Sequence, residues 1–261
     1  MNNVNRTLYI PLYCKARVSK QGIILEDETA ERIWAENAVP LGRKSKSKWL
    51  AFFMAMRARV FDDWVGEVLA LYPDALVLHV GCGMDSRIRR VGASEVPWYD
   101  LDLPEVIALR RRYYNESASY RMIVGDASRQ DWLAGIPKEC TAVVVMEGVS
   151  MYLPPDVLEQ LLAALSSHFV SGRLMMDAYT ELGAMLSKWK NPIADVGVKT
   201  VYGMKRPSDI LGESRVSYVR ERSMTPPRLV HQLAGFDRLF FRHLFAGGIA
   251  KRLYRMHEYE W

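Results

Sequence analysis

Five short apolar segments, each ending in an acidic residue or followed at once by glycine or an acidic residue, recur through the middle of this 261-residue chain. They cover residues 75–80 (ALVLHV), 97–102, 120–124, 141–146 and 172–176. Segments this short and this apolar are typical of strands buried on both faces of a sheet. Leucines at helical spacing between the last two segments predict a connecting helix. The sequence therefore predicts an α/β fold with a mostly parallel central sheet and helices on both faces.

The regions on either side of these segments follow other patterns. Before them, residues 50–72 place Phe53, Phe61 and Trp64 on one helical stripe, which predicts an N-terminal helical lid. After residue 180 we expect a loop-rich stretch and then a short helix that Gly235 stops. The expected positions are loops at 191–212, the helix at 228–234 and strands near 216–219 and 239–244.

We treat the chain as one domain over residues 1–261. Its parts are a helical cap at 1–73, a core at 74–180, and a substrate-side insertion with C-terminal strands at 181–261.

Composition narrows the class of protein. With 49% hydrophobic and 25% charged residues, the chain falls in the globular range. No apolar run approaches the ~20 residues that span a bilayer, and residues 1–20 lack the apolar core of a secretion signal. The three scattered cysteines fit neither a disulfide framework nor a zinc motif. We therefore expect a cytoplasmic protein with no metal site and no membrane partner.

The charge is uneven along the chain. The net charge of +5 is carried entirely by residues 205–261. This excess fits an anionic substrate or nucleic acid. Because the basic residues are spread out rather than in a run, it also fits a simple solvated basic surface. The chain lacks the alternation of aromatic and basic residues that single-strand binding needs, which argues against nucleic acid. Nothing in the sequence sets the oligomeric state.

Glycines and acids fall where a parallel sheet binds its ligands, outside the carboxyl ends of the strands. Gly81 and Gly83 follow the first segment, and a backbone without Cβ can approach a ligand closely. Asp102 follows Gly81 by 21 residues, the spacing at which an acid after the second strand reaches a ribose. Asp100 faces the same way and competes for this role. Asp126 and Glu147 end the next two segments.

The first turn does not suit a dinucleotide. A dinucleotide site carries G-x-G-x-x-G, but here the third glycine position is Ser86, preceded by Asp85. An acid at this turn would repel a pyrophosphate. A nucleoside that carries a sulfonium cation and no phosphate meets no such repulsion, and this favours S-adenosylmethionine over NAD.

Arg57 lies on the apolar stripe of the N-terminal helix that also carries Phe53 and Phe61. A buried unpaired charge is costly, so Arg57 requires an anionic partner. That partner is either a carboxylate of the chain itself or the carboxylate of the cofactor's methionine arm, which a guanidinium can hold through two hydrogen bonds.

Taken together, these motifs resemble the leucine carboxyl methyltransferases and the related tetracenomycin-type polyketide O-methyltransferases. Six stretches, spread over most of the chain, are each similar to a family motif. In the stretch 99–106, Asp100 stands where the family more usually has glutamate. The stretches are 24–33 (ILEDETAERI), 57–62 (RARVFD), 79–87 (HVGCGMDSR), 99–106 (YDLDLPEV), 125–126 (GD) and 147–153 (EGVSMYL).

The resemblance implies a Rossmann-like methyltransferase fold that uses S-adenosylmethionine. It implies that Arg57 holds the methionine carboxylate, that the turn at Gly81 and Gly83 passes the methionine arm, and that Asp102 binds the ribose. It also implies that Asp126 and Ala127 lie beside the adenine, and that the Glu147 carboxylate lies beneath the methionine amino group. The N-terminal helices and the region after the fifth strand would form the lid and the acceptor pocket.

The function predicted is methyl transfer to an oxygen of a small anionic or aromatic metabolite. A carboxylate acceptor is already ionised near neutral pH, whereas a phenol would benefit from a general base. Tyr152 and His243 are the candidates near the acceptor; His79 and His168 are expected to be structural. The alternatives are methylation of a protein C-terminal carboxylate and, in another class, a non-catalytic module that binds nucleotides or nucleic acid.

Overall fold

The structure is a computed structural model that describes residues 7–37, 39–190 and 200–261. Within these residues, eight strands form one sheet in the order β3-β2-β1-β4-β5-β8-β7, with β6 beside β5. The strands are β1 (Leu76–Val80), β2 (Trp98–Asp102), β3 (Tyr120–Val124), β4 (Thr141–Met146), β5 (Ser171–Thr180), β6 (Gly203–Met204), β7 (Ser217–Arg222) and β8 (Tyr254–Glu260).

The helices precede, connect and follow these strands. They are α1 (Tyr9–Ser19), α2 (Glu28–Asn37), α3 (Lys48–Leu71), α4 (Arg87–Arg90), α5 (Pro104–Arg110), α6 (Pro155–His168), α7 (Glu181–Lys190), α8 (Pro227–Val230), α9 (Gly235–Leu244) and α10 (Gly248–Lys251).

Strands β1 to β5 pair in parallel, as the apolar segments predict. Their order 3-2-1-4-5 reverses direction between β1 and β4, which run side by side. Every residue of β1 is buried, and so are the last five of β4, because helices cover both faces of the sheet. The point of reversal leaves a crevice at the carboxyl ends of these two strands, where open α/β sheets bind ligands.

The N-terminal helical layer packs on this sheet through α3, whose buried stripe includes Phe61 and Trp64. Helix α1 packs against both α2 and α3, so the N-terminal helices do not form a separate unit. The predicted helix at 50–72 is therefore present, and it begins two residues earlier.

The C-terminal third differs from the sequence-based expectation in three places. The strand predicted at 239–244 is wrong, because Gly235–Leu244 is helical and buries Phe241. Gly235 begins this helix and does not stop the preceding one, which is the short α8. Strand β8 was not predicted, and it pairs antiparallel with both β5 and β7. Of the predicted loop at 191–212, residues 191–199 lie outside the described residues.

Candidate active site

A cavity of about 1070 Å³ opens at the carboxyl ends of the parallel strands. Small-molecule sites span ~300–1000 Å³, so this volume lies at the upper end of that range. One half of the lining is formed by the turns directly after β1 to β4, with Lys15 of α1 and Arg57 of α3 beside them. The other half is formed by the remaining lining residues of α1 and α3, by Tyr152, Tyr179 and Tyr202, and by residues 245–254.

The glycine turn after β1 presents bare backbone to this cavity. Gly81 and Gly83 have φ angles of +66° and +52°, in the left-handed region that favours glycine. A Cβ on Gly81 would come within 2.3 Å of the Cγ2 atom of Val149. A side chain at this position would therefore be both strained and obstructed.

Of the two acids that compete on β2, Asp102 lines the cavity and Asp100 does not. The Asp102 carboxylate accepts hydrogen bonds from the backbone N–H groups of Gly83 at 2.7 Å and Leu103 at 2.8 Å. Burial raises the pKa of Asp102, and these two hydrogen bonds oppose the rise. Its remaining lone pairs can accept further hydrogen bonds from a ligand.

Asp100 is fully buried below the turn. It forms an ion pair with Arg110, with an Nη2–Oδ2 distance of 2.5 Å, and accepts a hydrogen bond from Trp98 Nε1 at 2.9 Å. Burial alone would raise the pKa of Asp100, but Arg110 and the other partners lower it to about 2. Asp100 is therefore a structural carboxylate that supports the turn.

Asp126 and Ala127 lie on the cavity wall after β3. Asp126 is exposed at the rim, and its Oδ1 atom accepts a hydrogen bond from the backbone N–H of Ser128 at 2.8 Å. The structure thus places Gly81, Gly83, Asp102, Asp126 and Ala127 along one wall.

Arg57 and Glu147 complete this wall and contact each other. The Arg57 Nε donates to Glu147 Oε1 at 3.1 Å, and its Nη1 donates to Asp177 Oδ2 at 2.8 Å and to the Tyr254 hydroxyl at 2.9 Å. Tyr254 in turn donates to Asp177. The chain's own carboxylates therefore pair with Arg57, which is one of the two alternatives that its position on an apolar stripe leaves open.

Glu147 lies between two guanidinium groups, those of Arg57 and Arg87. Burial would raise the pKa of Glu147, but the two arginines lower it to about 2. The group is therefore an anion throughout the physiological range, and it faces the cavity beside Gly148.

Lys15 is a cavity residue that our reading of the sequence missed. It is 3% exposed, lies on α1, and forms an ion pair with Asp85. A lysine among the apolar residues of a helix is the same signal that identified Arg57, so it was available in the sequence. Asp177 and Tyr254 were also missed, although Asp177 is one of the acids that end an apolar segment.

Asp85 differs from its sequence-based interpretation. Besides Lys15 it contacts Arg90 at 2.9 Å and accepts a hydrogen bond from the backbone N–H of Arg87 at 2.8 Å. Burial would raise its pKa, but these cations hold the pKa well below its usual range. Because its charge is neutralised locally, Asp85 repels a pyrophosphate less than the sequence suggests.

The two candidates near the acceptor have different positions. Tyr152 lines the cavity, and burial raises its pKa to about 12, so its phenol stays protonated. His243 does not line the cavity: it lies exposed on α9, where a strand was predicted. The expectation that His243 is catalytic therefore finds no support in this geometry.

The acceptor half of the cavity is aromatic. The rings of Tyr179 and Tyr254 are 4.7 Å apart, and those of Phe53 and Tyr254 are 6.3 Å apart. Tyrosine and phenylalanine side chains form much of this wall: Phe53, Tyr152, Tyr179, Tyr202, Phe245 and Tyr254. Among the described residues from 205 onward, no lysine or arginine lines the cavity. The basic residues of the C-terminal part therefore do not face the acceptor half of the cavity, contrary to the expectation from the sequence.

Among the residues that the structure describes, no group of three or more histidine, cysteine, aspartate or glutamate side chains is placed to hold a metal ion. None of the helices in the same residues combines the length and the apolar character needed to cross a membrane.

Two solved methyltransferase structures share this fold. A putative methyltransferase from Thermobifida fusca matches with a TM-score of 0.57 and 13% identity, covering 94% of this chain and 92% of that one. Magnesium protoporphyrin IX methyltransferase from Synechocystis, solved with bound SAH, matches with a TM-score of 0.53 and 16% identity, covering 89% and 92%. The predicted methyltransferase fold is thus confirmed.

The sequence matches the family model of leucine carboxyl methyltransferase over residues 13–166. The chain belongs to the leucine carboxyl methyltransferase family. The tetracenomycin polyketide synthesis O-methyltransferase TcmP of Streptomyces glaucescens is 34% identical over 222 residues, which cover 84% of this chain and 82% of that protein. An S-adenosyl-L-methionine-dependent methyltransferase of Gibberella zeae, dpfgK, is 27% identical over 234 residues, covering 80% and 78%.

Proposed function

We propose that this protein transfers a methyl group from S-adenosylmethionine to a carboxylate oxygen of a small aromatic acceptor. The observation that carries the proposal is the division of one cavity into two chemically different halves. One part of the lining holds the glycine turn, Asp102 and Glu147, and another part is built of tyrosine and phenylalanine rings.

The residues present fit the donor. Asp102 has free lone pairs that suit a ribose diol, and Gly81 and Gly83 leave room above the turn for a methionine arm. Glu147 is an anion that suits an ammonium group, and Lys15 and Arg57 supply cations for a carboxylate. Asp126 and Ala127 line the same wall after β3, and we assign them to the adenine end of the donor.

When bound, S-adenosylmethionine supplies a methyl group on a positively charged sulfur. The chain's residues align the acceptor and exclude water, which raises the rate without a proton transfer. The buried acids of the donor half keep negative charge close to a cationic ligand. Tyr152 stays protonated and can donate a hydrogen bond, but it does not serve as a base.

The lining favours a carboxylate over a phenol as the acceptor. Tyrosines apart, the ionisable lining residues of the described cavity are all in the half that contains the glycine turn: Lys15, Arg57, His79, Cys82, Asp85, Asp102, Asp126 and Glu147. A phenol with a pKa near 10 needs a base, whereas a carboxylic acid with a pKa near 4 is already ionised at neutral pH.

Donor binding tests the first half of the proposal. Calorimetric titration should show that S-adenosylmethionine binds and that NAD gives no comparable heat. Asp102→Ala should weaken donor binding by about 1–3 kcal/mol, because charged hydrogen bonds to the ligand are lost. Asp74→Ala, at the exposed opposite end of β1, is the matched control. Equal affinity for the Asp102 variant and the parent would remove Asp102 from the ribose site.

The pH profile of methyl transfer tests the second half. The acceptor panel contains aromatic carboxylic acids, phenols of matched size and a peptide ending in leucine. With aromatic acids we expect transfer whose kcat/KM is flat between about pH 6 and 9, since the acceptor is ionised throughout. Transfer confined to phenols, with kcat/KM rising steadily with pH, would contradict the carboxylate assignment. Transfer confined to the peptide would replace the small acceptor by a protein terminus.

A further inference from the structure

His79 lies near the end of β1, below the glycine turn, and the proposed chemistry gives it no role. It is 2% exposed and reaches the cavity wall. Its two ring nitrogens meet opposite partners. Nδ1 lies 3.3 Å from Asp100 Oδ1, and Nε2 lies 3.2 Å from Arg87 Nη1.

These partners define the position of the ring proton. A guanidinium has only N–H donors, so Nε2 must be the acceptor in its contact with Arg87. The proton of the imidazole therefore sits on Nδ1, where it faces the Asp100 carboxylate. Trp98 packs edge-on against the ring, at 6.4 Å between centroids.

On one side of His79, a series of contacts leads to the proposed ribose acid. Asp100 forms its ion pair with Arg110, and Arg110 Nη1 donates to the carbonyl oxygen of Gly83 at 3.0 Å. The N–H of the same glycine donates to Asp102 Oδ2 at 2.7 Å. The position of Asp102 thus depends on the Asp100 cluster.

On the other side, a second series leads to the methionine end. Arg87 is fully buried, with Nε donating to Asp62 Oδ1 at 2.8 Å and Nη2 paired with Glu147. Glu147 accepts in turn from Arg57. The position of Glu147 thus depends on Arg87.

We propose that His79 is a positioning residue that holds the ribose side and the methionine side of the donor site in place, each through its own contact. By accepting from Arg87 and facing Asp100, the imidazole fixes both clusters relative to one strand, and so fixes the spacing of Asp102 and Glu147. The proposal rests on the proposed function, because it assigns these two acids to the two ends of the donor.

Two substitutions separate the two contacts of the ring. His79→Asn keeps an N–H near the Nδ1 position and removes the acceptor for Arg87. His79→Gln keeps an oxygen near the Nε2 position and removes the group that faces Asp100. His168→Gln, on α6 and outside the cavity lining, is the control. Thermal melts establish that each variant folds.

Two ligands report on the two ends of the site. S-adenosylmethionine occupies both ends, and 5′-methylthioadenosine has the ribose but lacks the amino acid portion. We expect His79→Asn to weaken the binding of S-adenosylmethionine about tenfold and to change the affinity for 5′-methylthioadenosine less than about twofold. We expect His79→Gln to weaken both about tenfold, because it disturbs the ribose side.

An independent measurement needs no ligand. Nitrogen-15 NMR of the labelled protein should show the His79 proton on Nδ1. A proton on Nε2, or equal losses for both ligands in both histidine variants, would overturn the positioning role, because the variants would then not act through separate contacts. So would unchanged affinities in both variants while the parent protein binds. Failure of the parent protein to bind S-adenosylmethionine at all would instead overturn the proposed function, and it leaves the NMR result unaffected.

Discussion

Gly81 and Gly92 have nearly the same backbone conformation in different surroundings. Their φ angles are +66° and +65°, but a Cβ on Gly81 meets Val149 at 2.3 Å, whereas nothing lies within 4 Å of a Cβ on Gly92. The pair separates backbone strain, which both positions share, from obstruction of the cavity, which only Gly81 would cause.

Gly81→Ala should therefore destabilise the protein more than Gly92→Ala does. Both variants carry about 1 kcal/mol of strain from the left-handed conformation. We expect Gly81→Ala to cost a further ~1–3 kcal/mol from overpacking against Val149. Urea unfolding of both variants measures the difference. Equal free energies of unfolding would mean that Val149 moves aside without cost.

Individual charged residues on apolar stripes were the most informative sequence signal for the site. Arg57 was identified in this way, and Lys15 carries the same signal on α1. Tyr254 could not be found by such reasoning. A tyrosine in a segment of both polar and apolar residues can be exposed, packed in the core or part of a site, and local sequence does not distinguish these roles. Its partners Arg57 and Asp177 come from other elements.

At the level of elements, Arg215 holds the end of α6. Its guanidinium donates to the carbonyl oxygens of Ser166 and Phe169, the latter at 2.9 Å. The last carbonyls of a helix lack partners within the helix, and a cation there also meets the negative end of the helix dipole.

Arg215→Ala should lower the free energy of unfolding by about 1 kcal/mol, because these carbonyls lose a charged donor. Arg206→Ala is the control, since Arg206 is exposed and pairs only with nearby Asp209 among the contacts described for it. The control should change stability by less than about 0.5 kcal/mol. If the two variants unfold at the same urea concentration as the parent, Arg215 is not a cap.

The elements that the sequence predicts best are those whose environment is uniform. Strands β1 and β4 are buried on both faces along almost their whole length, so their apolar runs are unambiguous. Strand β8 contains His257 and Glu258, and Glu258 is accepted in a buried strand only because Trp64, Arg220 and Arg222 bind it. Local sequence does not show such distant partners.

The segment at 239–244 was misassigned for a related reason. Its apolar and polar residues fit a strand as well as a helix over so short a length. The choice is made by tertiary contacts, since Phe241 packs against Phe52, and Phe240 against Trp49.

For the molecule as a whole, His257 makes stability depend on pH. Burial, together with the nearby Arg255, lowers the pKa of His257 to about 4. Histidine in the unfolded chain titrates near 6.5. As the pH falls below 6.5, the unfolded chain binds a proton that the folded protein excludes, so the free energy of unfolding decreases.

We expect a loss of about 1–2 kcal/mol between pH 7 and pH 5 from this residue. Glu147 and Asp100, each with a pKa of about 2, titrate below this window. His257→Gln should remove most of the pH dependence, as measured by urea unfolding at the two pH values. The same loss in parent and variant would contradict the assignment to His257.

The contact between Arg57 and Tyr254 joins residues 197 positions apart. A nascent chain on the ribosome therefore has the helix that bears Arg57 long before the strand that bears Tyr254. Until that strand pairs with β5, the hydroxyl that Arg57 and Asp177 share is missing, and the pocket wall stays incomplete. The complete site should consequently form only after β8 has been synthesised and has paired with β5. A ligand bound there should stabilise the whole sheet, including its C-terminal strands, against unfolding.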